Sequence, residues 1–332
     1  MPSLSIVGGY LGAGKSTVVN RLLAGVLPGR TAVVVNDFGA VNIDASLISS
    51  RGEDTIELTN GCICCQITDD VQRTMTALAR RTDLDHVVCE VSGVGDPGQL
   101  GSWRRFPGFT AGPVLVCADA TAIPRLLRDE FVGDTVARQL AAAETVLVTK
   151  TDLATPAEVD DAAALVRAAA PHVPVHHQDP RDPARTLGEM LATGPAATTG
   201  RVTGDADPSE PFTVRPAFPG ADPAAAAPSH NDAHAARHRT VTIPCPAVVE
   251  IDPLLHHLQR LPERVVRAKG VVRDEAGAWH EVHLAGGRAS AAPLREGAQP
   301  PEEPCLVLIA AGPEAECCAR DSAATLLSLL SG

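Results

Sequence analysis

The sequence predicts an α/β protein in which helices cover both faces of a mostly parallel sheet, followed by a smaller C-terminal α+β domain. Two observations lead to this fold class. In the first 180 residues, short β-branched runs alternate with longer helix-compatible stretches, and this alternation is typical of parallel sheets. Each run also leads into Gly, Asp, Asn or Lys, and open α/β sheets carry their polar chemistry at that end of the strands.

Five hydrophobic runs are the strand candidates of the first domain, which we expect to span residues 1–180. In chain order they are LSIVGG, TAVVVND, HVVCEVSG, PVLVCADA and TVLVTKTD. Helix-compatible segments such as STVVNRLLAGV and DDVQRTMTALARR lie between them. Because strands buried on both faces are continuously hydrophobic, these runs favour a sheet covered on both sides.

A linker and a second domain are expected after the first. Pro, Gly, Ala and Thr accumulate over residues 181–238, a composition typical of a linker with room for one short helix. Within it His230, His234 and His238 are spaced by four. On a helix they would form one stripe that could collect a metal; the alternative is a solvated linker. Residues 239–332 then show the order strand, helix, two strands, strand and helix, which fits a small α+β domain.

Composition and charge exclude several classes of partner. The net charge of −12 over 332 residues argues against sequence-independent nucleic-acid binding, which needs a basic face, and against docking on an anionic membrane. No apolar run reaches the roughly 18 residues that span a bilayer, and the N-terminal stretch lacks the features of a signal peptide. We therefore expect a cytoplasmic protein with reduced thiols and with no nucleic-acid or membrane partner.

The stretch GYLGAGKST matches the phosphate-binding pattern G-x-x-x-x-G-K-[ST] between a predicted strand and a predicted helix. Glycines there let backbone N–H groups cradle phosphate oxygens. Lys15 would place its charge near the β- and γ-phosphates, and the Ser16 hydroxyl would bind Mg²⁺. The bland alternative is a glycine-rich turn with an incidental lysine. The motif places the domain among the P-loop NTPases, with expected nucleotide contacts at Gly9, Gly12, Ala13, Gly14, Lys15, Ser16 and Thr17.

The stretch TKTD at the end of the last predicted strand indicates which base is bound. It contains Thr149, Lys150 and Asp152, which we expect to form the base-binding end of the site. The Asp152 carboxylate can accept hydrogen bonds from the guanine N1–H and exocyclic amine, a donor pair that adenine lacks. The sequence therefore favours GTP over ATP.

Three further residues are candidates for the phosphate end. Glu90 ends a hydrophobic strand, where many P-loop enzymes have an acidic residue that holds the Mg²⁺ shell. Gly93 could offer its N–H to the γ-phosphate, which would make the following loop sensitive to nucleotide state. Asp37 in VNDFGAVNID could reach Mg²⁺ or a second metal, although a solvated loop carboxylate or a helix cap fits equally well. The candidate catalytic residues are Lys15, Glu90 and Asp37, and the base that activates water is unassigned.

The stretch NGCICCQ holds Cys62, Cys64 and Cys65. Clustered thiols in a reducing compartment favour a metal over a disulfide framework, and thiolates suit Zn²⁺, Cu⁺ and Co²⁺. Three thiolates fall short of the closed four-ligand set of a structural zinc site, which suits a carrier with an open position. A redox sensor and inert buried thiols are the alternatives. Cys89 and Cys117 are expected in the strand core.

Together, GGYLGAGKST, VNDFG, ELTNGCICC, EVSGVGDP, TKTD and VVRAKGVV resemble the CobW-type P-loop GTPases, a metallochaperone family. The resemblance implies that nucleotide and Mg²⁺ shape an internal metal site, and that hydrolysis releases the ion to a client. The sequence departs from the family pattern at Asp37 and Ala40, where glutamates are usual, and at Thr149, where asparagine is commoner. Aspartate at position 37 is one methylene shorter than glutamate and Ala40 offers no ligand atom, whereas the change at Thr149 is mild.

The favoured hypothesis is a cytoplasmic GTP-dependent metallochaperone for zinc, with cobalt as the alternative metal. Its expected cofactors are GTP, Mg²⁺ and Zn²⁺ or Co²⁺; its partner would be a client metalloprotein. It would be a monomer or a nucleotide-dependent dimer. Two rival hypotheses stay open: a GTP-switched regulatory or assembly module with structural thiols, and a P-loop small-molecule kinase. The order of TKTD and Glu90 disfavours the kinase.

Overall fold

The computed structural model describes residues 1–35, 55–57, 69–192, 238–294, 300–301 and 303–330. Several predicted site residues lie outside these ranges, so the predictions for them stay predictions. They are Asp37, Ala40, Cys62, Cys64, Cys65, His230 and His234.

Seven strands form the first sheet of the described chain, and all of its pairings are parallel. They are β1 Ser3–Gly8, β2 Thr31–Val35, β3 Thr55–Glu57, β4 His86–Glu90, β5 Thr110–Asp119, β6 Thr145–Thr149 and β7 Val175–His177. Their order across the sheet is β3-β2-β4-β1-β5-β6-β7. The five predicted runs are the five central strands, which confirms the predicted fold class. The two edge strands, β3 and β7, have three residues each, too few for a hydrophobic pattern to reveal.

Helices cover both faces of this sheet. They are α1 Lys15–Arg21, α2 Asp69–Ala79, α3 Pro97–Gly101, α4 Ile123–Leu126, α5 Gly133–Ala141, α6 Pro156–Ala169 and α7 Pro183–Ala192. Helices α1 and α7 pack against one face and α2 to α6 against the other, so the five central strands are apolar on both sides. Among the described residues, no helix has the length and apolar character needed to cross a membrane.

Helix α7 lies within the segment predicted as a linker, yet it belongs to the first structural unit. Leu187 and Met190 are buried against Val18, Val19 and Leu22 at the helical turn after the phosphate loop. The first unit therefore extends to residue 192. Leu187 and Met190 are spaced as on one face of a helix, so the sequence shows only that a helix can form. The residues that this helix packs against lie more than 160 residues earlier in the chain, and local sequence does not reveal them.

The second unit is a five-stranded antiparallel sheet in the described chain, with order β11-β10-β9-β12-β8. Its elements are β8 His238–Pro244, α8 Ile251–Gln259, β9 Val265–Arg273, β10 Trp279–Ala285, β11 Arg288–Pro293, β12 Cys305–Ala311 and α9 Ala315–Leu330. This confirms the predicted C-terminal α+β domain. Strand β11, with sequence RASAAP, is additional to the prediction because it lacks the β-branched and aromatic residues that mark strands.

The two faces of the second sheet differ in polarity. One face carries buried apolar side chains such as Val282, Leu306 and Leu308, which pack with Leu258 and Leu326 of α8 and α9. The opposite face carries charge, because alternate residues of a strand point to opposite sides. The charged side chains on it are Arg267, Lys269, Glu281 and His283, with Lys269 paired to His283 across the strands.

The charged face turns toward the first unit. Ile309 of β12 packs into the same apolar cluster as Tyr10 and Leu11. The Tyr10 hydroxyl lies 3.1 Å from Nε2 of His238, and the Arg264 guanidinium stands 4.9 Å from the centre of the Phe131 ring. The two units therefore share an apolar contact with polar links at its edge.

His238 belongs neither to a helical histidine stripe nor to a solvated linker. This residue begins strand β8, pairs with Ala311 of β12, and is 1% exposed. Its ring is held by Tyr10 of the first unit. Spacing by four predicts a stripe only where the chain is helical, and here the antiparallel partner β12 fixes an extended conformation instead.

Candidate functional site

The phosphate loop joins β1 to α1 in a conformation that depends on glycine. Gly9 has φ +132°, and a Cβ there would lie 2.4 Å from the Cys117 carbonyl oxygen, so any side chain would collide with the neighbouring strand. The Ala13 N–H donates to the Tyr10 carbonyl at 3.1 Å, which closes the loop. Gly14, with φ +89°, precedes the first residue of α1. The sequence motif therefore forms the expected strand–loop–helix structure.

Lys15 lies over this loop. Its ammonium donates to the carbonyl of Gly9 at 3.0 Å and of Tyr10 at 3.4 Å, and the residue is only 4% exposed. A buried ammonium that is held by backbone carbonyls is a fixed positive charge. In P-loop proteins such a lysine neutralises phosphate charge.

Ser16 and Glu90 meet directly below the loop. The Ser16 hydroxyl donates to Oε1 of Glu90 at 3.0 Å, and Glu90 is the buried last residue of β4. A hydroxyl and a carboxylate supply the hard oxygen atoms that Mg²⁺ prefers. The donor set at the position predicted from sequence therefore fits Mg²⁺.

At the other end of the site, residues 149–153 link β6 to the loop. Thr149 is buried, and its hydroxyl donates to the Ala13 carbonyl at 2.8 Å. Thr149 thus joins the predicted base-binding stretch to the phosphate loop and lies beneath the cavity surface. Lys150 has a left-handed backbone with φ +57°, which is uncommon for a residue other than glycine. Asp152 is exposed on the following turn, between Lys150 and Leu153, which both line the cavity.

Asp119 is a site residue that the sequence reasoning did not identify. It ends β5 and is 4% exposed. It pairs with the Lys150 ammonium at 2.7 Å and accepts from the Thr121 N–H at 2.9 Å and hydroxyl at 2.7 Å. Asp119 therefore fixes the lysine stem that would lie against the base. Its position at the carboxyl end of a predicted strand, like that of Glu90, is the signal that could have found it.

Gly93 packs against the phosphate loop. A Cβ at this position would lie 2.4 Å from Cδ2 and 2.9 Å from Cα of Leu11, so only glycine fits. The Gln139 amide donates to the carbonyls of Gly93 at 3.1 Å and Gly95 at 2.7 Å. A displacement of the segment that follows Glu90 would therefore also displace the phosphate loop. The predicted hydrogen bond from the Gly93 N–H to a γ-phosphate stays a prediction.

A cavity of about 600 Å³ lies between the phosphate loop and the second sheet, within the ~300–1,000 Å³ typical of small-molecule sites. The loop and the first turn of α1 form one wall, and strands β9, β10 and β11 form the other. Among the described lining residues, Glu281 supplies the carboxylate, and five are basic: Lys15, Lys150, Arg267, Lys269 and Arg288. In a chain of net charge −12, this concentration of cations favours a polyanionic occupant.

The wall supplied by the second sheet also contains an imidazole. His283 is hydrogen-bonded to Glu281. Burial lowers the pKa of His283, the hydrogen bond to Glu281 opposes this effect, and the positive charges of Lys269 and Arg267 lower the pKa further. These four side chains therefore act on one another within the cavity wall. Sequence reasoning gave them no role, although the alternation of charge and hydrophobic residues in VVRAKGVVR shows that one face of this strand is polar.

The described thiols in the first sheet are inert. Cys89 and Cys117 are 1% and 2% exposed, and burial raises the pKa of each to about 12. Their predicted place in the strand core is confirmed. Within the described ranges, no group of three or more His, Cys, Asp or Glu side chains could hold a metal ion; the cluster at residues 62–65 lies outside those ranges.

Comparison with known proteins identifies relatives of part of this chain. The "Zinc chaperone CobW" of Sinorhizobium sp. is 30% identical over 179 residues, covering 45% of this chain and 51% of the relative. The "Zinc chaperone YjiA" of Escherichia coli K12 is 31% identical over 185 residues, covering 53% and 58%. The chain thus spans about half the length of the curated relatives it matches. The crystal structure of Zn(II)-bound YjiA GTPase from E. coli aligns over 98% of both chains at 17% identity and a TM-score of 0.36.

Family models cover most of the described fold. The model for the cobalamin synthesis protein cobW C-terminal domain matches residues 239–324, the region of the second sheet. The model described as CobW/HypB/UreG, nucleotide-binding domain, matches residues 3–177. That range is more than half of the chain and contains the phosphate loop, Glu90 and the Lys150 turn. The chain belongs to the CobW/HypB/UreG nucleotide-binding domain family.

Proposed function

We propose that this chain is a cytoplasmic GTP hydrolase that binds a thiophilic metal, zinc in the first instance, and couples hydrolysis to delivery of that metal to a client protein. One observation carries the nucleotide part. A single cavity has the phosphate loop with Lys15 at one end and the Lys150 turn at the other. The similarity to zinc chaperones supports the metal part.

The geometry suits hydrolysis of a triphosphate. Lys15 supplies a fixed charge where the β- and γ-phosphates would lie, so negative charge that develops on them is neutralised without rearrangement. Ser16 and Glu90 would hold Mg²⁺, which when bound neutralises phosphate charge. The packing of Gly93 on Leu11 gives the loop after Glu90 a direct route for sensing the phosphate end. Asp37 stays a candidate for the same end.

Base choice gives the first prediction. Asp152→Asn should weaken GTP binding and shift preference toward xanthosine triphosphate, because the amide can donate to the carbonyl that replaces the guanine amine. Competition of both nucleotides against a fluorescent GDP measures the shift. Asp160→Asn, an exposed carboxylate on α6, is the matched control and should leave preference unchanged. Unchanged GTP affinity in the Asp152 variant would mean that Asp152 does not read the base.

Product analysis tests the proposed reaction. With GTP and Mg²⁺ the purified chain should release inorganic phosphate slowly, as unstimulated GTPases do, and ATP should be a poor substrate. A phosphorylated small-molecule acceptor in place of free phosphate would favour the kinase alternative. Equal turnover of ATP and GTP would reject guanine recognition.

The metal part rests on Cys62, Cys64 and Cys65 as thiolate ligands. Their position between β3 and α2 puts them in the chain segment that leads from the edge of the sheet to its covering helix. A set of three thiolates leaves a position that a client ligand could occupy. Cobalt is the alternative cargo, and a client metalloprotein is the proposed partner of a monomer or nucleotide-dependent dimer.

A further inference from the structure

Lysine is rare in this chain, and its positions are informative. Only three of the 28 Lys and Arg residues are lysines: Lys15, Lys150 and Lys269. All three line the same cavity. Lys15 belongs to the phosphate loop and Lys150 to the base-binding turn, whereas Lys269 comes from the middle of β9 in the second unit. Two of the three already belong to the proposed nucleotide site.

Lysine and arginine differ in how they present their charge to a phosphate group. An ammonium is a compact point charge on a flexible stem with three donors, whereas a guanidinium is a planar fork. Lys269 is 5% exposed, so its charge is held away from bulk water. An anion that enters the cavity would meet this charge where water screens it less than at the protein surface.

The charges around Lys269 also favour an anionic occupant. Arg267 lies two residues earlier on the same strand face and is 8% exposed. Both cations lower the pKa of His283, which favours its neutral form. The carboxylate beside them is Glu281. This wall therefore presents two buried cations and one carboxylate to the cavity.

The second unit touches the phosphate loop itself. A Cβ built on Gly12, which has φ +79°, would lie 2.5 Å from the Cβ of Ala285. Ala285 is the last residue of β10 and is paired with Arg267 across the strands. The polar face of the second sheet therefore contacts the phosphate loop at Ala285. Arg267 lies beside Ala285, and Lys269 lies farther along the same strand.

We propose that Lys269 is a phosphate-binding residue of the nucleotide site, which reaches the polyphosphate from the wall opposite Lys15, with Arg267 beside it. The inference rests on the nucleotide function proposed above and adds that the site is complete only when the second unit is docked. The nucleotide then joins the two units, and its phosphates contribute to holding them together.

Lys269→Met tests this directly, because methionine keeps an unbranched stem and removes the charge. We expect the affinity of the full chain for GTPγS with Mg²⁺ to fall at least tenfold, about 1.4 kcal/mol, while the preference for guanine over adenine is retained. Lys269→Arg keeps the charge and should lose less. Arg273→Met, on the same strand but exposed and outside the cavity lining, should bind GTPγS as the wild type does.

Lys15→Ala separates failure of this inference from failure of the proposed function. If Lys15→Ala loses GTPγS binding while Lys269→Met binds within twofold of wild type, the inference is overturned and the phosphate loop stands. If neither variant loses affinity, the proposed nucleotide site itself is wrong.

Amine acetylation of the wild-type chain tests the same point without a substitution. With only three lysines, each modified side chain is read separately by mass spectrometry. GTPγS with Mg²⁺ should slow acetylation of Lys269 together with Lys15. Protection of Lys15 with equal labelling of Lys269 in both states would overturn the proposal.

Discussion

Lys15→Ala should lower the rate of GTP hydrolysis by at least about a hundredfold and should also weaken nucleotide binding. The reason is the position of the side chain. Its ammonium is held on the Gly9 carbonyl at 3.0 Å, so its charge is fixed at the phosphate end of the cavity before nucleotide arrives. Loss of a fixed charge at that point raises the energy of the triphosphate and of the transition state together.

The variant should still fold, because the ammonium contacts backbone carbonyls of its own loop and none of the apolar clusters contains Lys15. Thermal unfolding checks both parts at once. Without nucleotide, Tm should stay close to that of the wild type. A nucleotide that binds only the folded state raises Tm, so GTPγS should raise Tm in the wild type and not in the variant. Wild-type hydrolysis by Lys15→Ala would contradict the phosphate-loop assignment.

The second large effect concerns the cysteine cluster. Cys62→Ser, Cys64→Ser and Cys65→Ser should each weaken binding of Zn²⁺ or Co²⁺, and the Cys62→Ser/Cys64→Ser pair should abolish tight binding. Serine has nearly the same size but offers no thiolate near neutral pH, so the loss is chemical and not steric. Titration with Co²⁺ measures this loss of metal binding, since thiolate coordination gives cobalt an intense charge-transfer absorption.

Cys317→Ser is the matched control, because Cys317 is an exposed cysteine of α9 in the second unit. It should bind Co²⁺ as the wild type does. Nucleotide binding should also survive in the cysteine variants, which separates metal loss from unfolding. Undiminished Co²⁺ absorption in the double variant would place the thiolate site elsewhere.

Much of the first unit could be predicted because its strands and its phosphate loop are marked by patterns among neighbouring residues of the sequence. Continuous hydrophobic runs such as those of β1 and β6 reveal strands buried on both faces, and the glycine spacing around Lys15 is enough to place the phosphate loop. Glu90 and the Lys150 turn followed from their positions at strand ends. The short edge strands β3 and β7 were not predicted, because three residues are too few to show the hydrophobic pattern of a strand.

The residues that sequence reasoning missed act across long distances in the chain. Asp119 gains its role from Lys150, which directly follows the neighbouring strand β6. Lys269 gains its role from a cavity whose other wall is more than 250 residues earlier. His238 was misjudged for the same reason, since its strand pairing with β12 and its contact with Tyr10 are both tertiary. Local pattern shows that a strand face is polar, but only the docking of the two units shows what that face meets.

The central claim is that nucleotide state controls metal affinity, and one titration tests it. The reduced full chain is titrated with Co²⁺, and then with Zn²⁺ in competition with it, in the presence of Mg²⁺ and either GDP or GTPγS. A carrier needs a difference of at least about tenfold, roughly 1.4 kcal/mol, between the two nucleotide states. We expect tighter binding with GTPγS, because the cysteines lie in the sequence between the two segments that are proposed to contact the phosphate end of the nucleotide. Equal metal affinity in the two states would contradict it, even with the cysteines established as ligands.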